Sequence, residues 1–426
     1  MSRTININVE KNGRPVRVGN ICGDSTAEAR FSYFDEYLQS EDARPISISL
    51  PLQKEPFSVA KTGNFFEGLL PEGFSRRAVA DWVKADENDY LTILEKLGQE
   101  FLGAILIDDD GQAERDMAYE PLSRERVKQL AAEGATRSTE LLMQTHLSLT
   151  GASGKAGLYY DSENDKWYLP KGRAASTHIV KQSHVRLGHI VLNEQLCMQT
   201  AKKLGIEVPE SFVINLGNGM DSDVLFATKR FDRYMDSGVL IDGLKCPGRL
   251  HQEDFSQALG ISSKDKYERQ PSGYLRKMFE LIRNYCSDPI RDQQKLWDMI
   301  VFCFLIGNTD CHIKNFSLTY SPDLKSIKLA PAYDIVCTRV YGSTPEMSFF
   351  IGGELEIDRI GRENFRLAAH EAGIGEKLAM KRFDYMRNGI EEAFYDAVND
   401  MLLAGLDDVK SISGEMLKVI KRGIKD

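Results

Sequence analysis

A chain of 426 residues is too long for one ordinary hydrophobic core, so at least two compact units are expected. Its 42% hydrophobic and 27% charged residues, with 34 Gly against 14 Pro, exclude the disordered and fibrous classes. A net charge of -9 and a pI near 5.5 exclude a protein that grips nucleic acid through its overall field, since that grip comes from counterions released at many Lys and Arg contacts.

The N-terminus MSRTININV alternates apolar and polar residues where a signal peptide carries an unbroken apolar run, and no stretch approaches the roughly 18 apolar residues of a membrane span. The seven Cys, at 22, 197, 246, 286, 303, 311 and 337, form no CxxC pair, which fits reduced thiols rather than a disulfide framework or a zinc site. A cytoplasmic protein without a membrane partner is the expectation. Ile5, Ile7 and Val9 alternate with polar residues, Asn12-Gly13 supplies a turn, and Val16 and Val18 resume the alternation, which predicts a β-hairpin. Strands are predicted at PISISLPL (45–52) and FLGAILI (101–107), the latter closed by DDDG, and a helix at DYLTILEKL (89–97). Residues 1–145 thus read as an α+β unit.

A second unit, 146–233, starts with HLSLTGASGKAGLYY (146–160), read as strand, glycine-rich loop, strand. Strands follow at WYLP (167–170) and THIVKQ (177–182). NEQLCMQTAKKLGI (193–206) predicts a helix with Leu196, Cys197, Thr200, Ala201 and Leu204 on one face, and SFVINL (211–216) and DVLFATKRF (223–231) predict two more strands. Beyond Asp232 long helical patterns take over, so 234–426 reads as an α-rich unit. The basic residues from Lys418 to Lys425 read as the solvated face of a last helix.

The sequence IGNTDCHIKNFSLTY (306–320), followed by LAPAYDI (329–335), places Asp310, Asn315 and Asp334 where phosphoryl transfer needs three functions. One Asp orients and deprotonates a hydroxyl; an Asn five residues on, and a second Asp just after the next strand, in LAPAYDI, offer hard oxygens to Mg2+, which keeps most of its waters. The protein kinase catalytic loop has the same D-x-x-x-x-N spacing, which alone occurs by chance in many chains. Here an apolar helix from Leu296 to Ile306 buries itself and presents the loop at its end. Within the loop, His312 can donate to a phosphate oxygen and Lys314 can neutralise charge.

TGASGK (150–155) fails the Walker pattern, since Leu149 stands five residues before Gly154 and Ala156 follows Lys155. It suits either a kinase turn whose backbone N–H groups cover phosphates or an ordinary hairpin turn. Lys181, in a predicted strand, is either a solvated residue or a phosphate-binding lysine with Glu194 as its partner.

Taken together these pieces resemble the HipA family of serine/threonine kinase toxins over most of the chain. FFEGLLPEGFSRR (65–77) is similar to its N-terminal signature, SLTGASGK to its phosphate loop, THIVKQ to its lysine strand, NEQLCMQTAKKLGI to its lobe helix, KRFDR (229–233) to its hinge, and GNTDCHIKNF with YDI to its catalytic core. The resemblance implies a protein-kinase-like two-lobe α+β fold, one lobe small and β-rich and the other α-rich, with an extra N-terminal α+β subdomain. It implies Asp310 as catalytic base, Asn315 and Asp334 as metal ligands, and Thr150, Gly151, Ala152, Ser153, Gly154 and Lys155 as the phosphate loop. Lys181, Lys229, Arg230, Phe231, His312, Lys314 and Tyr333 become further ATP contacts, and Ser148 the autophosphorylation site that shuts the kinase off. Ser153 stands where the family often has Gln, and Lys229 where it often has Glu. The implied partners are a HipB-like DNA-binding antitoxin, operator DNA through that antitoxin, and a protein substrate such as an aminoacyl-tRNA synthetase whose phosphorylation stalls translation. Two alternatives are a catalytically silent kinase-like scaffold of an antitoxin-DNA complex, against which the intact Asp310, Asn315, Asp334 and Lys181 argue, and a small-molecule kinase.

Overall fold

Asn12 and Gly13 both adopt positive φ, 51° and 75°, the geometry a two-residue hairpin turn requires. The chain accordingly folds back on itself between strands β1 (Thr4–Lys11) and β2 (Arg14–Cys22), with Val9 opposite Val16 and a bulge between Ile7 and Asn8. A computed structural model describes residues 3–97, 101–107, 116–132, 155–183 and 187–425. They divide into two units, the first formed by Met1–Lys181, Thr228–Ser263 and Leu318–Ile327, the second by Gln182–Ala227, Lys264–Ser317 and Lys328–Asp426.

In the first unit β3 (Arg30–Tyr33) and β4 (Ile105–Ile107) complete an antiparallel sheet of order β3-β2-β1-β4. The predicted strand 101–107 is thus shorter than expected. Helices α1 (Val59–Glu67), α2 (Gly73–Val83) and α3 (Tyr90–Leu97) accompany this sheet. Phe31, Phe57, Phe65 and Phe66 are fully buried, with the Phe31 and Phe66 rings 5.4 Å apart, and such rings carry most of the apolar area of a small core.

The segment 45–52 is not a strand; Ser47 and Leu50 form an isolated bridge. Ile46 and Leu50 are buried as the alternation requires, but side chains take the backbone groups that a ladder would use. Ile46 N–H donates to the Tyr33 hydroxyl, which donates to Leu50 O, and Ile48 N–H donates to Glu253. Glu253 is wholly buried and also accepts from Ser47 at 2.5 Å and from the Tyr320 hydroxyl. Burial outweighs these donors and pushes its pKa up to about 7. Because the folded carboxyl holds its proton to higher pH than the unfolded one, its contribution to stability is full below the ordinary Glu range and is lost as pH rises toward 7. Glu253→Gln, which mimics the protonated form, is expected to melt with wild type at pH 5 and a few degrees above it at pH 8, as thermal denaturation at the two pH values would read.

A second sheet in this unit runs β5 (Ala118–Pro121), β7 (Lys166–Lys171), β6 (Lys155–Asp161), β8 (His178–Gln182), all pairs antiparallel, and α4 (Arg124–Ala132) follows β5. Immediately after Asp232, where helices were expected, the chain forms a hairpin of Arg233–Ile241 and Leu244–Arg249. Its first strand is mostly solvent-facing and shows no alternation; the Asp242-Gly243 turn, at φ 53° and 82°, is the signal that marked it.

The second unit holds α5 (Ile190–Lys203), β9 (Ser211–Asn215) and the greater part of β10 (Val224–Lys229). The five residues predicted to share one face of α5 are all buried. It then becomes helical: α6 (Tyr274–Tyr285), α7 (Pro289–Ile306), α8 (Arg362–Ala372), α9 (Glu376–Leu403) and α10 (Lys410–Gly423). In α7 Asp288 caps the first turn, Pro289 occupies its start, and every residue from Leu296 to Ile306 is buried. Trp297 Nε1 donates to Ala379 O at 3.0 Å, and Asp298 pairs through both oxygens with Arg382 at 3.0 and 2.6 Å, so the helix is fixed in register. Gly307 ends it at φ 75°, where a Cβ would lie 2.3 Å from Val419. In α10 Ile412, Met416 and Ile420 face inward, while Lys418 and Lys421 pair with Glu415 and Glu391. All seven cysteines are free, and among the described residues no helix is long and apolar enough to cross a membrane.

Candidate active site

Because α7 is buried along its last eleven residues, the loop at its end starts from a fixed point. Asn308 N–H donates to Cys303 O at 2.8 Å, Thr309 N–H to Thr338 Oγ1 at 2.8 Å, and Ser348 Oγ to Thr309 O at 2.8 Å. Asp310 follows with its N–H on Asn308 Oδ1 at 3.1 Å and its side chain 55% exposed. A carboxylate held by its backbone yet open to solvent is what a base facing an incoming hydroxyl requires.

The five-residue spacing to Asn315 has a structural cause. His312 N–H returns to Asp310 O at 2.9 Å, a 3-10 turn spans Ile313–Asn315, and Asn315 Nδ2 donates to the same carbonyl at 2.8 Å. That bond fixes the amide and leaves Oδ1 as the atom the side chain offers to a cation. His312 is buried, its Nε2 4.0 Å from Asp310 Oδ1, and Lys314 is buried as well. The Cys311 thiol, next to Asp310, is held well above its ordinary pKa, first by its hydrogen bond with Cys303 and then by burial, so it is no thiolate nucleophile.

Asp334 does not lie on a strand: the strand there covers Ile327–Leu329, and residues 330–337 are irregular. Side chains pin that segment in place of a ladder. The Tyr333 hydroxyl donates to Lys314 O at 3.0 Å and meets Ser317 Oγ at 2.7 Å, tying it to the loop of Asp310. Ala332 N–H donates to Glu207 O at 2.8 Å, and Asn193, buried on α5, takes Cys337 N–H at 2.8 Å and gives its amide to Cys337 O at 3.1 Å. Between these anchors Asp334 sits at φ 56°, a left-handed conformation that costs about 1–2 kcal/mol and persists only where the surroundings enforce it. The oxygens of Asn315 and Asp334 are of the hard type that suits Mg2+. The second unit thus gathers Asp310, His312, Lys314, Asn315 and Tyr333 in one loop system, with Asp334 adjacent.

In the first unit Lys155 on β6 and Lys181 on β8 are direct cross-strand partners, and both are buried. Lysine is seldom buried, so two of them side by side in one sheet are a feature that ordinary core packing does not call for. Lys229 is exposed at the end of β10, and Phe231 is half-buried. After burial itself, Lys229 is the second cause that pushes His178 down to about 4, leaving that ring neutral at physiological pH. Arg230 is turned inward: its N–H donates to Thr177 O, and its guanidinium holds Asp232 at 2.7 and 2.9 Å, Ser176 and Phe101 O. Its donors therefore serve the unit itself. Glu194 is buried on α5 of the second unit. Ser148, Thr150, Gly151, Ala152, Ser153 and Gly154 lie outside the described residues.

Sequence reasoning missed Asn193 and also Tyr267, whose hydroxyl donates to Asp310 Oδ1. Their partners are 144 and 43 residues away, beyond the reach of any local pattern.

The model of the HipA-like C-terminal domain matches residues 147–394, and that of the HipA N-terminal domain residues 9–108. The protein Y4mE of Sinorhizobium fredii is 31% identical over 409 residues, covering 92% of each chain. The serine/threonine-protein kinase toxin HipA of Shewanella oneidensis is 25% identical over 422 residues, covering 96% of this chain and 93% of its own. The solved complex of Shewanella oneidensis HipA, HipB and operator DNA matches with a TM-score of 0.79 at 22% identity, over 98% of this chain and 96% of that chain. Such a match shows the mixed α+β, kinase-like fold.

Proposed function

This chain belongs to the HipA family, and we propose that it transfers the γ-phosphate of ATP to a serine or threonine hydroxyl of another protein. The observation that carries the reading is the clasp at the end of α7, where a solvent-facing Asp310 and Asn315 five residues on are joined through one carbonyl and tied by Tyr333 to the segment bearing Asp334. In this reading Asp310 orients the acceptor hydroxyl and takes its proton. Asn315 and Asp334 hold Mg2+, which supplies neutralising charge to the transferring phosphoryl group. Lys155 and Lys181, paired across β6 and β8, and His312 and Lys314 meet phosphate oxygens, with residues 150–154 as the rest of the phosphate loop. Lys229, Arg230 and Phe231 meet the adenine through their backbone.

The biological role proposed with this chemistry is the toxin of a pair with a HipB-like antitoxin, which brings operator DNA. The shared fold with the chain in the HipA, HipB and operator DNA complex supports it. The proposed substrate is a protein of the translation apparatus, an aminoacyl-tRNA synthetase foremost.

Ser148 is proposed as the chain's own acceptor. A phosphate there adds about -1.5 to -2 charges two residues before the phosphate loop, and repulsion of the incoming triphosphate would switch the enzyme off. Incubation with Mg-ATP followed by intact-mass measurement and a peptide map is expected to show one added phosphate at Ser148. A protein that gains no mass is a silent scaffold or a small-molecule kinase. Phosphate only at other positions, or a Ser148→Asp protein as active as wild type, would sink the switch while leaving the kinase.

A further inference from the structure

Tyr267 lies in an irregular stretch between a 3-10 turn (Ser263–Asp265) and α6. Its phenol donates to Asp310 Oδ1, and its ring meets His312 edge-on at 5.2 Å. The backbone that presents it is anchored by the next residue. Glu268, buried although acidic, accepts on Oε1 from Ser272 N–H at 2.7 Å, Ser272 Oγ at 3.0 Å and Tyr274 N–H at 3.1 Å, and on Oε2 from Phe350 N–H at 3.1 Å. Glu268 N–H donates to Ser348 O at 2.8 Å, and Ser348 Oγ in turn holds Thr309 O, one residue before Asp310. The phenol and the carboxylate are therefore set against each other from the same strand, Glu346–Ile351. A buried carboxylate costs several kcal/mol unless its oxygens are satisfied, so four donors on Glu268 mark a constructed support rather than a passing surface contact.

Asp χ2 is a broad torsion, and a half-exposed carboxylate at a helix end turns about it unless something fixes one oxygen. We propose that Tyr267 is a positioning residue for Asp310, holding the carboxylate through its phenol O–H in the orientation that meets an acceptor hydroxyl. This rests on the reading of Asp310 as base. A charge-assisted O–H donor is strong enough for the task, and a base displaced by about 1 Å loses about a hundredfold in rate.

The test is the rate at which the full chain incorporates γ-phosphate from radiolabelled Mg-ATP, measured over a range of ATP concentrations for wild type, Tyr267→Phe, Tyr267→Ala and Asp310→Asn. Both Tyr267 variants are expected to lose about 10- to 100-fold in maximal rate. The half-saturating ATP concentration should stay within about twofold, and the Phe variant should melt with wild type, because only the O–H is missing. A Tyr267→Phe rate equal to wild type, or above it as a mere plug of the acceptor place would give, overturns the proposal. So does an Ala variant far slower than Phe, the mark of a packing role. Undiminished labelling of Asp310→Asn, or none of wild type, would instead bring down the kinase reading itself; a dead Asp310→Asn beside an unimpaired Tyr267→Phe confines the failure to Tyr267.

Discussion

Asp310→Asn is expected to abolish phosphoryl transfer, with a loss of about 10²- to 10⁴-fold, while ATP affinity and melting temperature stay near wild type. The loss arises because an amide cannot take the acceptor's proton, and a base acts in the transition state rather than on bound nucleotide. Stability is spared because the structural bonds of the residue run through its backbone: its carbonyl holds His312 N–H and Asn315 Nδ2, and its own N–H is on Asn308. Asn also retains an oxygen to accept from Tyr267. Retention of more than a few per cent of the wild-type rate in a timed phosphate-incorporation assay would dismiss Asp310 as the base.

Asp334→Asn should act on the nucleotide instead. Asn is the informative replacement because it tolerates a φ of 56° nearly as well as Asp, so the anchored segment from Ala332 to Cys337 keeps its path. In the proposed reading, what is lost is the negative charge that would face Mg2+. Calorimetric titration is expected to show Mg-ATP binding weakened about 10- to 100-fold and brought level with ATP in EDTA, whose affinity is unchanged. An unaltered preference for the magnesium complex would rule out Asp334 as a ligand.

Features encoded by neighbouring residues were the legible ones. The β1-β2 hairpin followed from alternation and an Asn-Gly turn, and the burial of α7 and of one face of α5 followed from apolar spacing. The D-x-x-x-x-N spacing, read as a base and a metal ligand, gave no hint of the bond that accompanies it, Asn315 Nδ2 on the Asp310 carbonyl. Segments 45–52 and 329–335 were misread for one reason: both carry strand-like residues, yet distant groups satisfy backbone N–H groups that a ladder would use, Tyr33 and Glu253 in one case and the Glu207 carbonyl, on Ala332 N–H, in the other. Glu268 was invisible as well. An acid between Tyr267 and Arg269 in an irregular, highly charged stretch resembles a solvated residue until Ser272, Tyr274 and Phe350 are seen to converge on it.

The division into units has a consequence for synthesis on the ribosome. The first unit takes its last residues from Leu318–Ile327, so its fold cannot close until more than three quarters of the chain has been translated. At about 5–20 residues per second that point is reached on the order of half a minute after initiation. Until then Glu253, whose Tyr320 partner arrives in that final stretch, lacks one of the donors that make its burial tolerable. The nascent chain therefore spends most of its time on the ribosome incompletely folded, and a stall before residue 327 should leave a product for proteolysis rather than a free-standing first unit.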